Sequence, residues 1–422
     1  MKMQCFVIEG GKKLSGEISV SGAKNSALPI IAASLLTDKR VELENIPDLA
    51  DIRTMIELVK QLGTDVTFHR NTLTLRTPKI KRVDAPYDIV RKMRASYYVL
   101  GALVGRTKKA KVSMPGGCAI GPRPIDLHIK GLEILGADVE IKDGFINARA
   151  RKLKGAAVDL QGPKGTSVGA TINTMLAAAR ASGITTITPA ACEPEVVDVA
   201  DFLNAMGCAV SGQGTHTITV TGSDYGRAVR YRVIPDRIEA GTFAVAAVIT
   251  RGKVTLRGCN PGHMNSVLDR LEEIGAEAHR SGSKLTVSRR KTLRPANVFV
   301  APYPGFPTDM QAQLMALLSI VPGTSTIKET IFPNRFMQAV ELMRMGADIT
   351  IEGDTAVING VRKLSGARVM ASDLRASAAL VLAGLVAKGK TTVSRIYHLD
   401  RGYDRFERKL SKLGACIQRV NA

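Results

Sequence analysis

Between Met114 and Leu127 the chain reads Met-Pro-Gly-Gly-Cys-Ala-Ile-Gly-Pro-Arg-Pro-Ile-Asp-Leu. Gly116, Gly117 and Gly121 admit left-handed backbone while Pro115, Pro122 and Pro124 fix φ, so this is a loop with defined bends, not a helix or an inner strand. At its centre stands one thiol, Cys118. The guanidinium of Arg123 is near enough in sequence to lower the pKa of that thiol if the loop folds back, which is how a reactive cysteine is made. A glycine-rich surface turn with an incidental cysteine fits the same letters. The remaining cysteines, Cys5, Cys192, Cys208, Cys259 and Cys416, are scattered, with no Cys-x-x-Cys and no clustered His. They read as inert and buried, and neither a zinc site nor a disulfide framework is indicated.

An internal repeat supplies the elements that must position this loop. The segments around Gly63, Gly136, Gly207, Gly275, Gly346 and Gly414 are versions of Leu-Gly-Ala-Asp-Val, spaced by about seventy residues. Each glycine follows an amphipathic run, such as 52–62 or 265–274, and precedes an alternating one, so it predicts a helix C-cap leading into a strand. Upstream in each unit lies a second, apolar helix, at 26–36, 95–104, 170–181, 240–249, 310–320 and 376–387. Short strands follow these helices, at 41–43, 111–113, 185–188, 254–257, 325–328 and 391–394. One unit is therefore helix, strand, helix, strand, strand. Six copies predict two globular halves of three, with a hinge near 228–234, where Arg227, Arg230, Arg232 and a Pro235-Asp236-Arg237 turn interrupt the pattern.

Residues that share a slot in the repeat but differ in chemistry are candidates for function. Before the first helix of each unit stand Lys24-Asn25, Arg94, Ser167, Asp236-Arg237, Asp309, and Asp373 with Arg375. Before the second stand Asp51, Arg123, Glu195, Gly262, Arg335 and Arg401. Helix starts expose unpaired amides and the positive end of a dipole, so six of them delivered to a shared cleft would attract anions strongly. Singly, each has a structural reading. Asp309 and Asp373 suit N-caps, Lys24 and Asn25 suit solvated helix starts, and the arginines suit surface charge. The run from Gly165 through Thr166, Ser167 and Val168 to Gly169 suits a turn and cap, since it lacks the Gly-Lys-Ser/Thr ending of a phosphate loop.

Composition narrows the class. A chain of 422 residues with 45% hydrophobic side chains exceeds one compact core, and 4% aromatics without Trp means an interior of Ala, Val, Ile, Leu and Met. The start of the chain lacks a secretory pattern, and its longest apolar stretch, 376–387, is about half a membrane span. These features predict a soluble, cytoplasmic protein without a membrane partner. The formal net charge of +21 favours anionic partners. Lys and Arg are spread along the chain without interleaved aromatics, which ranks a small polyanionic substrate above nucleic acid.

The residues also carry a resemblance. Ser-Gly-Ala-Lys24-Asn25-Ser-Ala-Leu-Pro, Arg94-Ala-Ser, the Cys118 loop through Arg123, Phe-Pro-Thr-Asp309-Met-Gln-Ala-Gln, Asn334-Arg335-Phe, Asp373-Leu-Arg375-Ala-Ser and Asp400-Arg401-Gly-Tyr resemble the enolpyruvyl transferase family, end to end. The loop resembles the branch that opens peptidoglycan synthesis. The resemblance implies an α/β fold of the inside-out barrel type, two similar halves each of three βαβαββ units, with residues 1–21 and 231–422 in one half and 22–230 in the other. It implies transfer of enolpyruvate from phosphoenolpyruvate to the 3-hydroxyl of UDP-N-acetylglucosamine with release of phosphate, without metal or organic cofactor. It implies Asp309 as base on that hydroxyl and Cys118 as proton donor and site of a covalent adduct. Lys24, Asn25, Arg123 and Arg401 would hold phosphoenolpyruvate, with Asp373 among the catalytic groups. Asn25, Arg94, Arg123, Pro124, Ile125, Asp126, Leu127, Gly165, Thr166, Ser167, Val168, Asp309 and Ile331 would contact the UDP-sugar, with Arg335 and Arg375 lining the closed site. Pro333 departs from an acidic residue common at that position. The rival expectations are the sister transferase acting on shikimate 3-phosphate and, from another class, a basic nucleic-acid-binding protein.

Overall fold

A computed structural model describes residues 4–114, 125–163, 165–224, 226–290, 292–332 and 334–421. Cys118, Arg123, Pro124 and Pro333 therefore lie outside the described residues.

The repeated glycines act as their spacing predicts. All six have positive φ, between 88° and 123°, the left-handed conformation that ends a helix without a Cβ clash. The helices that precede them are amphipathic. Ala50–Leu62, for example, buries Ile52, Met55, Ile56, Val59 and Leu62 and turns Lys60 outward. The other helix of each repeat has no polar face. Every residue of Gln311–Leu318 is buried, as is every residue of Arg237–Ile249 after Arg237. A helix buried on every side, with polar side chains such as Gln313 paired internally, lies inside its unit.

Two units result, one comprising residues 4–21 with 235–421 and the other residues 22–114 with 125–234. In the second, the interior helices are Lys24–Ala33, Tyr98–Thr107 and Val168–Ala178, packed on one another. Their approach depends on small residues: a Cβ on Gly101 would sit 2.3 Å from the carbonyl oxygen of Asn173. In the first unit the interior helices are Arg237–Ile249, Gln311–Leu318 and Leu374–Gly384. Each unit has its own continuous apolar core.

Among the described residues there are six four-stranded sheets, all built to one plan. In five of them a strand that follows an interior helix pairs antiparallel with a hairpin of its own repeat and parallel with a strand from outside that repeat; in the sixth, Lys390–Ser394 pairs antiparallel with Gln4–Glu9. Val41–Glu44 thus pairs antiparallel with Thr72–Arg76 and parallel with Val229–Arg232, which returns the third repeat of that unit to its first. In the other unit the ring is closed by the start of the chain. Ser15–Ser19 runs parallel to Lys253–Arg257, and Gln4–Glu9 lies between Lys390–Ser394 and Cys416–Asn421. Sheet residues alternate inward and outward, as in Val254 and Leu256 against Lys253 and Arg257, so helices fill each unit and sheets clad it. This is the inside-out α/β arrangement. The division between units falls after Ile234, with Val229–Arg232 held by Val41–Glu44. Among the described residues no helix is long and apolar enough to cross a membrane.

Candidate active site

In the unit of 235–421 the polar centre is Asp309. It lies in the 3-10 turn Thr308–Met310 that leads into the interior helix Gln311–Leu318, and neither element is capped by the side chain at its N-cap position. Asp309 Oδ1 accepts from Arg335 Nη2 at 2.7 Å and Oδ2 from Arg375 Nη2 at 2.7 Å. Both arginines are almost wholly buried, whereas a quarter of the Asp309 side chain is exposed (25%). Burial pushes the Asp309 carboxyl up, but Arg375 and then Arg335 outweigh it and hold the group well below the usual carboxylate range. Asp309 is therefore ionised at neutral pH.

Neighbouring groups hold this cluster. Gln313 Nε2 donates to the backbone carbonyl of Asp309 at 2.9 Å and to Tyr403 Oη at 3.1 Å. The Tyr403 ring lies 5.5 Å from the Arg375 guanidinium carbon, a cation–π distance. Arg335 places its other branch, Nη1, on Thr308 Oγ1 at 2.9 Å, with the Phe332 ring 5.7 Å away. Asp373, which looks like Asp309 in the sequence, does serve as an N-cap: its Oδ1 accepts from the amides of Arg375 and Ala376 at 2.8 and 3.1 Å. The cap fixes the helix turn from which Arg375 reaches Asp309. Arg401 ends the 3-10 stretch Ile396–Arg401, half-buried; its charge and that of Asp373 both act on the imidazole of His398, which burial lowers from its ordinary value. Ile331 is half-buried, with its amide tied to Glu329.

The unit of 22–234 carries a second group. Lys24, the first residue of its helix, is buried rather than solvated, and its Nζ donates to Asp51 Oδ2 at 3.2 Å. Asn25 beside it is half-buried. Some of the residues expected to meet a UDP-sugar, Arg94 and Asp126 among them, lie near His128. Its imidazole lies 5.8 Å from the Tyr97 ring, and it is pushed down to about 4, chiefly by burial, with Asp126 opposing and Arg94 adding to the effect. Asn173 Oδ1 accepts from the Gly101 amide at 2.8 Å, which orients its Nδ2 as the donor to His128 Nδ1 at 2.8 Å. The neutral ring then carries its proton on Nε2. A Cβ on Gly169 would meet that ring at 2.9 Å, and one on Gly162 would meet Leu127 Cδ1 at 2.9 Å. Arg94, Ile125, Asp126 and Leu127 are thus drawn together with the turn of Gly165, Thr166, Ser167 and Val168. In that turn Gly165 has φ +87° and Ser167 caps Val168–Ala178 through the Ala170 amide at 3.3 Å. Thr308 and Gln313 stand in the Asp309 motif without a role of their own in the sequence, and Glu329 lies outside every motif, yet all three hold the first group together.

The family model described as EPSP synthase (3-phosphoshikimate 1-carboxyvinyltransferase) matches residues 8–410. UDP-N-acetylglucosamine 1-carboxyvinyltransferase 2 of Carboxydothermus hydrogenoformans is 54% identical over 421 residues, 99% of this chain and 100% of the relative. UDP-N-acetylglucosamine 1-carboxyvinyltransferase of Desulfosudis oleivorans is 51% identical over 418 residues, with 99% and 100% covered. Among solved structures, the enolpyruvyl transferase NikO of Streptomyces tendae superposes with a TM-score of 0.90 at 26% identity, with both chains fully covered (100%). EPSP synthase of Acinetobacter baumannii gives 0.76 at 18% identity over 99% of this chain and 100% of that one, a likeness of fold.

Proposed function

The chain belongs to the EPSP synthase family of carboxyvinyl transferases, and on that premise we propose that it transfers the carboxyvinyl group of phosphoenolpyruvate to the 3-hydroxyl of UDP-N-acetylglucosamine, releasing phosphate, in peptidoglycan synthesis. The observation that carries the choice of acceptor is identity with relatives of that name along the whole chain. The 3-oxygen bonds to C2 of phosphoenolpyruvate as Asp309 takes its proton and Cys118 protonates C3. From that tetrahedral adduct a C3 proton and the phosphate leave, restoring the double bond. Cys118 also forms a covalent adduct with phosphoenolpyruvate.

Asp309 suits its part because it is ionised at neutral pH and its two oxygens are fixed by separate guanidiniums. Its low pKa makes it a weak base at rest, so its contribution is a placed acceptor that gains force as the hydroxyl becomes acidic in the transition state. Lys24, Asn25, Arg123 and Arg401 hold the phosphate and carboxylate of phosphoenolpyruvate, and Asp373 sets Arg375. Arg94, Ile125, Asp126, Leu127, Gly165, Thr166, Ser167 and Val168 hold the nucleotide sugar, where the neutral His128 adds a donor without adding charge.

The purified protein should release phosphate from phosphoenolpyruvate only with UDP-N-acetylglucosamine present. Release supported by shikimate 3-phosphate instead, or no release with either acceptor, would overturn the reading.

A further inference from the structure

Glu329 is a carboxylate with no exposed surface (0%), at the end of the strand Thr324–Glu329. A carboxylate buried this completely needs donors on each oxygen. Here Oε1 accepts from the amides of Ile331 at 2.9 Å and Phe332 at 3.0 Å, and Oε2 accepts from Thr308 Oγ1 at 2.8 Å. The Thr308 hydroxyl has one proton, and it goes to Glu329. Its lone pairs are thereby turned to Arg335, whose Nη1 donates at 2.9 Å while Nη2 holds Asp309 Oδ1 at 2.7 Å. One buried carboxylate thus fixes both the direction of Arg335 toward Asp309 and the backbone turn that carries Ile331. The fold does not require acid at this slot. Two residues beyond the inward-facing Leu256, Ile327 and Val393 of the three equivalent strands in this unit, the chain has Gly258, Glu329 and Arg395.

We propose that Glu329 is a positioning residue that locks the proton-accepting carboxylate and the sugar-nucleotide-contacting turn into one piece. The proposal rests on the carboxyvinyl-transfer reading, which sets Asp309 and Ile331 against the acceptor. Glutamine in its place keeps the volume but breaks the pattern. With the amide oxygen on the two backbone N–H groups, its NH2 faces a Thr308 oxygen already receiving Arg335 and strands the Thr308 proton; turned over, its NH2 faces two backbone donors.

Steady-state kinetics of Glu329→Gln, Thr308→Val, Thr308→Ser and the Glu329→Gln/Thr308→Val double variant test this. Glu329→Gln should lower kcat about 10–100-fold, the size of loss that a misplacement near 1 Å produces. It should also raise KM for UDP-N-acetylglucosamine several-fold and leave KM for phosphoenolpyruvate within about two-fold. Thr308→Val should reproduce the kcat loss, Thr308→Ser should escape it, and the double variant should be no worse in kcat than either single one. Unchanged kcat in folded Glu329→Gln, equal changes in both KM values, or losses that multiply in the double variant would overturn the proposal. Should Glu329→Gln fail to fold, the contrast between Thr308→Val and Thr308→Ser decides. An inactive wild-type enzyme would instead overturn the carboxyvinyl-transfer reading, and this proposal with it.

Discussion

A carboxylate between two buried guanidiniums is under opposing demands, and Asp309 shows which one prevails. Its two arginines guarantee ionisation and fix direction, at the expense of basicity. If this balance is set by charge, removing one arginine should restore basicity while loosening the geometry. Arg375→Gln is therefore expected to raise the Asp309 pKa, since one of the two guanidiniums that hold it down is gone. The sign follows directly: a carboxylate must be ionised to accept a proton, so activity is lost on the acid side. The acid limb of kcat against pH should move toward neutrality in the variant, with a lower plateau because one oxygen is no longer held. A pH–rate profile measures both, and an unmoved limb would mean that Asp309 does not govern it. This residue also marks where local sequence stops being informative. Asp309 and Asp373 each precede an interior helix and look alike as letters. Only the long-range return of Arg335 and Arg375 separates an ion-paired carboxylate from a helix cap.

At the scale of elements, the repeat was readable because helix ends and strand periods are local. Gly63 and its five counterparts report their own φ, and Ala50–Leu62 displays its buried face every three to four residues. Strand partnership is not local, which is why the return of Val229–Arg232 to Val41–Glu44 left no mark in the pattern. The same junction contains a buried carboxyl that ties elements together. Asp198, on helix Pro194–Ala205, accepts from Ser26 on the first interior helix, from Tyr231 Oη at 2.6 Å and from the Ile234 amide at 3.3 Å. Burial pushes it up to about 6, against the pull of those donors. A carboxyl whose folded pKa exceeds its unfolded one favours the folded state when protonated. Its contribution is present below about pH 4 and is lost as pH rises toward about 6, to the extent of 2–3 kcal/mol in order of magnitude. Asp198→Asn cannot ionise, so its stability relative to the wild type should improve by roughly that amount between pH 4 and pH 7. Urea unfolding at the two pH values measures the difference, and a constant difference would place the pH dependence elsewhere.

At the scale of the whole molecule, the formal net charge of +21 exceeds what any pair of small anions needs for direct contact. Part of the positive charge is matched locally on the outer sheet faces, as where Arg230 and Arg232 meet Glu44, or Arg257 meets Glu17 at 2.7 Å. Exposed pairs of this kind add little stability, but they leave the excess cations to act at a distance. A field of one sign raises the rate at which anions arrive without altering what happens once they are bound. For a transferase whose two substrates are both anionic, the consequence is kinetic and specific. Raising ionic strength from about 0.01 M to about 0.15 M shortens the Debye length from about 30 Å to about 8 Å, so only charges close to the bound substrate remain effective. We expect kcat/KM for UDP-N-acetylglucosamine to fall about 10-fold over that range, the lower end of electrostatic steering, while kcat stays constant. Initial rates in a potassium chloride series with saturating phosphoenolpyruvate measure both. Added duplex DNA gives the contrast with a nucleic-acid-binding role: a protein charged for that purpose would be inhibited by it, with a steep log–log salt dependence set by the number of phosphates neutralised. A salt-independent kcat/KM together with strong inhibition by DNA would assign the charge to a macromolecular partner and remove steering from the account of this enzyme.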